Sequence, residues 1–159
     1  MPRNFLRTIL IVMVLASSAP LLHAKSRKSI TDAISQLQPS PEIAAFFIEE
    51  ATRAKVGDII IVSTGGDYGS TTWRSDTQRS VVTINIGIRG GSSATNIAHE
   101  ISHAAVFRRG CFNHGAKWLA YHMEIAQRFE AQFPGVPWSG KRPTANIAGK
   151  AARYKGDRC

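Results

Sequence analysis

Cysteine is nearly absent from this 159-residue chain, with only Cys111 and Cys159 present. Two thiols exclude a small scaffold stapled by several disulfides. Acidic residues are also scarce: 11 Asp and Glu against 20 Lys and Arg, a formal net charge of +9. Charged residues make up only 19% of the chain and apolar ones 43%, which argues against a disordered polyelectrolyte and for one domain with a real core. No internal repeat and no long low-complexity stretch occurs, so a solenoid is excluded. Beyond residue 24 there is no long apolar run, so no membrane span is expected there.

What is present begins with the N-terminus. Residues 1–24 carry Arg3 and Arg7, then an apolar run from Ile9 to Leu15, then Ser17, Ser18, Pro20 and "LLHA" before Lys25. This is the pattern of a secretory signal peptide cleaved after Ala24. The expected product is secreted or periplasmic, soluble, and carries a charge of +7 once Arg3 and Arg7 are removed. In an oxidising compartment, Cys111 and Cys159 are candidates for one disulfide, worth about 3–4 kcal/mol in the chain-entropy model; two free thiols are the rival reading. Residues 141–159 form a basic tail with Lys141, Arg142, Lys150, Arg153, Lys155 and Arg158 against Asp157. Such a tail suits an anionic polymer or nucleic acid, or is simply solvated.

Between these ends, residues 25–140 read as one domain. A short helix is expected over 28–38. Ser40 and Pro41 then open a helix to Ala54, with Ile43, Phe47, Ala51 and Ala54 on one stripe and Gly57 as its stop. Strands are expected at 58–64, at "STTWRS", and at 80–88, where Val82, Ile84, Ile86 and Ile88 alternate with Val81, Thr83, Asn85 and Gly87. Short links suggest an antiparallel meander. A helix follows over 94–109, with Ile97, Ile101 and Ala105 facing inward and Gly110 as stop. Asn113 is placed to cap a second helix to Gln132, with Trp118, Tyr121, Ile125 and Phe129 buried. A short helix is expected near 144–153. Trp73 and Trp138 are either exposed binding aromatics or, more plainly, packed residues.

The chemistry concentrates in residues 96–122, which hold four of the five histidines. His99-Glu100-Ile101-Ser102-His103 has the spacing H-E-x-x-H. Residues four apart on a helix share a face, so His99 and His103 can grip one zinc ion while Glu100 sits beside it as general base. A metzincin would need a histidine where this chain has Arg109. The remaining candidates for a third ligand are His114, Glu124 and, more weakly, His122. The positive end of a helix at His114 favours a neutral imidazole there.

"HEISHA" followed by "NHGAKW" resembles the SprT-like zinc metalloprotease family. The resemblance spans roughly Lys55 to Phe133 and is most specific over 99–118. It implies His99, His103 and His114 as ligands to one zinc ion and Glu100 as the catalytic glutamate. It also implies a minimal zincin-type α+β fold: a small antiparallel sheet beside an active-site helix, an N-terminal helix, and a second ligand-bearing helix. Two departures stand out. The best-known members act inside cells on proteins attached to DNA, and some carry CxxC pairs that this chain lacks.

The expected activity is that of an exported zinc metallopeptidase acting on protein or peptide substrates, with a metal-bound water activated by Glu100. Tyr121, His122 and Tyr154 are candidate oxyanion donors, and strand 80–88 is a candidate edge for an extended substrate. The alternatives are a metal-dependent amidase acting on cell-wall peptides, and a non-catalytic module held together by zinc.

Overall fold

A computed structural model of the chain describes residues 27–159 except 39, 92, 108–109, 139 and 152–158. The expected signal peptide, Tyr154 and much of the basic tail lie outside the described residues. The fold is α+β, with the order β1 (Arg27–Lys28), α1 (Ile30–Leu37), α2 (Pro41–Arg53), β2 (Val56–Val62), β3 (Gly69–Arg74), β4 (Arg79–Asn85), α3 (Ala94–Phe107), α4 (Ala116–Gln132) and α5 (Pro143–Ala151). Among the described residues no helix is long and apolar enough to cross a membrane.

Local chemistry sets the helix starts. The Ser29 hydroxyl caps α1 by accepting from Asp32 N–H, and the Ser40 hydroxyl caps α2 by accepting from Ile43 N–H, with Pro41 in the first turn. The end of α2 differs from expectation. Ala54 is its C-cap and Lys55 turns the chain at φ 59°, so Gly57 falls inside β2. The start of α4 differs too: Gly115 is its N-cap, not Asn113.

The sheet is mixed rather than an antiparallel meander. Its order is β1-β2-β4-β3, with β2 and β4 parallel and the outer pairs antiparallel. The crossover between the parallel strands is residues 63–78, which carry β3 out to the edge before β4 returns beside β2. Burial explains this order. The β4 strand is almost wholly buried, whereas the Ser- and Thr-bearing β3 is half exposed, so the polar strand takes the edge. Strand 80–88 is therefore internal and cannot serve as a substrate edge. It also stops early, leaving Ile86 42% exposed. Asn85 ends it: its Oδ1 accepts from the Thr64 and Gly87 N–H groups and its Nδ2 donates to the Asp67 carbonyl.

The helix α3 packs on β3 and β4 and against α4, while α1 packs on α2 and β2. One core joins all of them. Phe46, Phe47, Phe129 and Phe133 meet at ring-centroid distances of 4.9–5.9 Å, and Trp138 joins them through Phe129 at 5.3 Å. Trp138 and Ile147 are fully buried, so the region after Pro137 contributes to the core. Glu50 is buried beneath α4, where Arg128 holds its carboxylate with two bonds of 2.8 Å. Replacing Arg128 by Met leaves that carboxylate without its partner. We expect Arg128→Met to lose about 2–3 kcal/mol in urea unfolding, somewhat below the full range for a broken buried pair because Arg128 is itself partly in water. A loss below about 0.5 kcal/mol, the scale of an ordinary surface change, would mean that water already solvates Glu50.

Candidate metal centre

The histidines are delivered by α3 and by the loop that follows it. Ser93 starts α3, accepting from the Asn96 N–H through both its carbonyl and its hydroxyl. Ile97, Ala98, Ile101 and Ala104 then bury the helix against the core. This fixes its rotation and points His99 and His103 the same way, with ring centroids 5.0 Å apart. His114 returns from the loop between α3 and α4. Its Nε2 lies 3.0 Å from Nε2 of His99 and 3.1 Å from Nε2 of His103.

This convergence fits a metal ion better than it fits hydrogen bonding. A ring nitrogen offers one in-plane hydrogen or one in-plane lone pair, so His114 Nε2 cannot satisfy two neighbours at once. A cation between three lone pairs satisfies all of them. His103 is suited to this as it is neutral. Burial, and to a lesser degree the neighbouring His114, push its pKa down to about 4. His99, His103 and His114 together could hold a metal ion.

Trp118 is the shared wall of the centre. It is fully buried, with its ring 4.8 Å from His99, 5.4 Å from His103 and 4.6 Å from His114. His122 stacks on it at 4.8 Å, with its ring 5.9 Å from that of His99. The helical spacing places Trp118 on the buried face of α4, as observed, but says nothing about its contact with a loop residue such as His114.

Glu100 leaves α3 in a different direction, toward the sheet edge. The Thr71 hydroxyl on β3 lies 2.8 Å from Glu100 Oε2 and 3.1 Å from the Glu100 carbonyl, one proton serving two acceptors. Gly69 makes room for the carboxylate: a Cβ there would sit 3.0 Å from Glu100 Cγ and Oε1. Burial raises the Glu100 carboxyl to about 7, against the lowering effect of the Thr71 bond. Glu100 and His99 open onto one cleft of about 480 Å³, whose walls include Tyr68, Gly69, Arg89 and Asn96. The Asn96 amide ties the two loops of that cleft together, donating to the Tyr68 and Gly91 carbonyls at 2.9 and 2.7 Å.

The other candidates lie elsewhere. Glu124 is exposed and faces Arg128 at 3.6 Å, away from the imidazoles. His122 is fully buried, with Nδ1 2.9 Å from the Ser102 hydroxyl. That hydroxyl donates to the Ala98 carbonyl at 2.6 Å, so it must accept from His122, which assigns the ring proton to Nδ1. Tyr121 is half-buried on the α2 side, where burial and then Glu50 raise its pKa. Neither Tyr121 nor His122 lines the cleft. Sequence reasoning missed Thr71, Gly69, Tyr68 and Asn96. For Tyr68, Gly69 and Thr71 the available signal was "DYGST", whose meaning depends on β3 lying beside α3.

Cys111 and Cys159 are joined by a disulfide, with Cα atoms 5.4 Å apart. No protein-family model, curated protein or solved structure matches the chain.

The geometry predicts that one equivalent of a divalent transition metal raises the thermal midpoint of the chain. At free metal 1,000 times Kd the gain is about 4 kcal/mol. His103→Ala should lose this gain in a calorimetric scan. Equal gains in both proteins would mean that the ion binds elsewhere.

Proposed function

We propose that the chain is a zinc metallopeptidase of the SprT-like type, secreted or periplasmic by virtue of residues 1–24. One observation carries this reading: three imidazole nitrogens converge while Glu100, next in sequence to one of them, opens onto the same cleft as His99. Zinc is the favoured ion because neutral imidazoles suit it and because three ligands leave a coordination position for chemistry. A structural zinc site would more commonly be closed by a fourth protein ligand, and among the described residues only three donors are grouped.

Zinc held by His99, His103 and His114 would supply Lewis-acid chemistry, making water acidic near neutral pH and polarising a substrate carbonyl. Glu100 accepts the proton of the attacking water and passes it to the leaving amine. Its carboxyl is suited to both tasks because burial holds it near neutrality. Thr71 fixes the carboxylate and favours its charged form. Tyr68 and Arg89 are the cleft groups placed to meet the substrate, and β3 is the edge to which an extended peptide can add. The exposed Lys141 supports contact with an anionic polymer, whereas Arg142 beside it pairs with Glu130; cell-wall peptides stay the second substrate class.

Glu100→Gln should bind zinc with unchanged stoichiometry and lose about 10²–10⁴-fold in casein hydrolysis. Unchanged hydrolysis removes Glu100 from catalysis. Cleavage of peptidoglycan but not casein selects the amidase reading, and no hydrolysis of either by the zinc-loaded wild type selects the non-catalytic one.

A pH test follows from Thr71. Glu100 acts ionised, so activity rises as pH climbs through its pKa. Thr71→Val removes a bond that favours the ionised form, so the acid limb of kcat/KM should move to higher pH. A limb that stays in place, or moves down, assigns that limb to another group.

A further inference from the structure

We infer that the Cys111–Cys159 disulfide is a positioning device for His114 and so governs how tightly the centre holds its metal. The inference rests on His114 being a ligand, as proposed above. His99 and His103 are fixed by α3, but His114 lies between the end of α3 at Phe107 and the start of α4 at Ala116. Its placement depends on what holds that loop.

Both sides of the loop are pinned, and both pins meet at one disulfide. On the α3 side, Cys111 is fully buried against Val106 and Trp118, the same tryptophan that walls the three imidazoles. On the α4 side, the N-cap Gly115 has no side chain with which to cap the helix. The Lys117 N–H instead donates to the main-chain oxygen of Cys159 at 2.9 Å. Cys159 therefore does for α4 what a capping Ser or Asp would do. The approach is close: a Cβ on Gly115 would lie 2.3 Å from the Cys159 carbonyl carbon and 2.8 Å from its Cα and N. His114 directly precedes this contact. The disulfide thus joins the residue seated beside Trp118 to the residue that caps α4, and His114 is enclosed between them.

A plain covalent staple across 48 residues would need none of this detail. It would raise stability wherever it lay. The cap on Lys117 and the absence of a side chain at Gly115 are local to His114, and a ligand held before metal arrives binds with less ordering cost.

The test is zinc affinity of the full chain, read by competition with a chromophoric chelator, with far-UV circular dichroism of the metal-free form as the folding control. The proteins are wild type, Cys111→Ser/Cys159→Ser, Gly115→Ala, His114→Ala, and the double cysteine change combined with His114→Ala. Gly115→Ala keeps both cysteines and displaces Cys159 only locally, so it decides the matter if the cysteine variant does not fold. We expect the cysteine pair and Gly115→Ala each to weaken zinc by about 10–100-fold, the range typical of residues that orient a metal ligand. Added to His114→Ala, the cysteine changes should alter affinity by less than about twofold, because they act through His114. Wild-type affinity in a folded cysteine variant or, where that variant does not fold, in Gly115→Ala overturns the inference while leaving the zinc reading intact. So does a full further loss on top of His114→Ala. If His114→Ala itself keeps wild-type affinity, the ligand assignment fails, and the positioning role fails with it.

Discussion

The packing of α3 between the sheet and α4 is the constraint on which the rest depends. One helix serves three surfaces. Ile97, Ile101 and Ala104 face the core, His99 and His103 face the loop before α4, and Asn96 and Glu100 face β3 and the cleft. Successive residues on a helix differ by about 100° in direction, so these surfaces cannot be adjusted separately. A rotation that relieved any one of them would misplace the other two. The buried aliphatic stripe therefore sets where His99 and His103 point.

Burial also sets the electrostatics. The same exclusion of water that holds Glu100 near pH 7 holds His103 neutral, because both charged forms lose hydration. A neutral imidazole is ready to bind a cation, and a carboxyl poised near neutrality is ready to exchange a proton. Thr71 tempers the effect on Glu100 by donating to it, and Gly69 leaves space for it. The edge strand β3 thus shapes the surroundings of Glu100 as well as the sheet.

The loop between α3 and α4 is held by different means. His114 lies on neither helix. It touches His99 and His103 of α3 and Trp118 of α4, and its loop is flanked by the buried Cys111 and by the Cys159 main chain that caps α4. Two of the three grouped histidines thus sit on a helix, and the third sits on a loop beside a long-range covalent closure.

The sequence by itself determined the helices, the H-E-x-x-H pair and the identity of the two cysteines. These are local: a repeat of apolar residues selects a helix face, and a spacing of four puts His99 and His103 on the same side. The Ser40-Pro41 start was legible for the same reason. Only the tertiary structure decided the strand order, since "SVVTINIGI" reads identically in a meander and in the centre of a mixed sheet. Burial of both faces moved that strand inward and sent the Thr-rich β3 to the edge. That His114, and not Glu124 or His122, joins His99 and His103 was tertiary too, because it turns on how a loop folds back and on where Arg128 and Ser102 hold the others. Thr71 and Gly69 became visible only once β3 lay beside α3. Their contacts with Glu100 cross about thirty residues of chain, a distance over which periodicity and spacing carry no information.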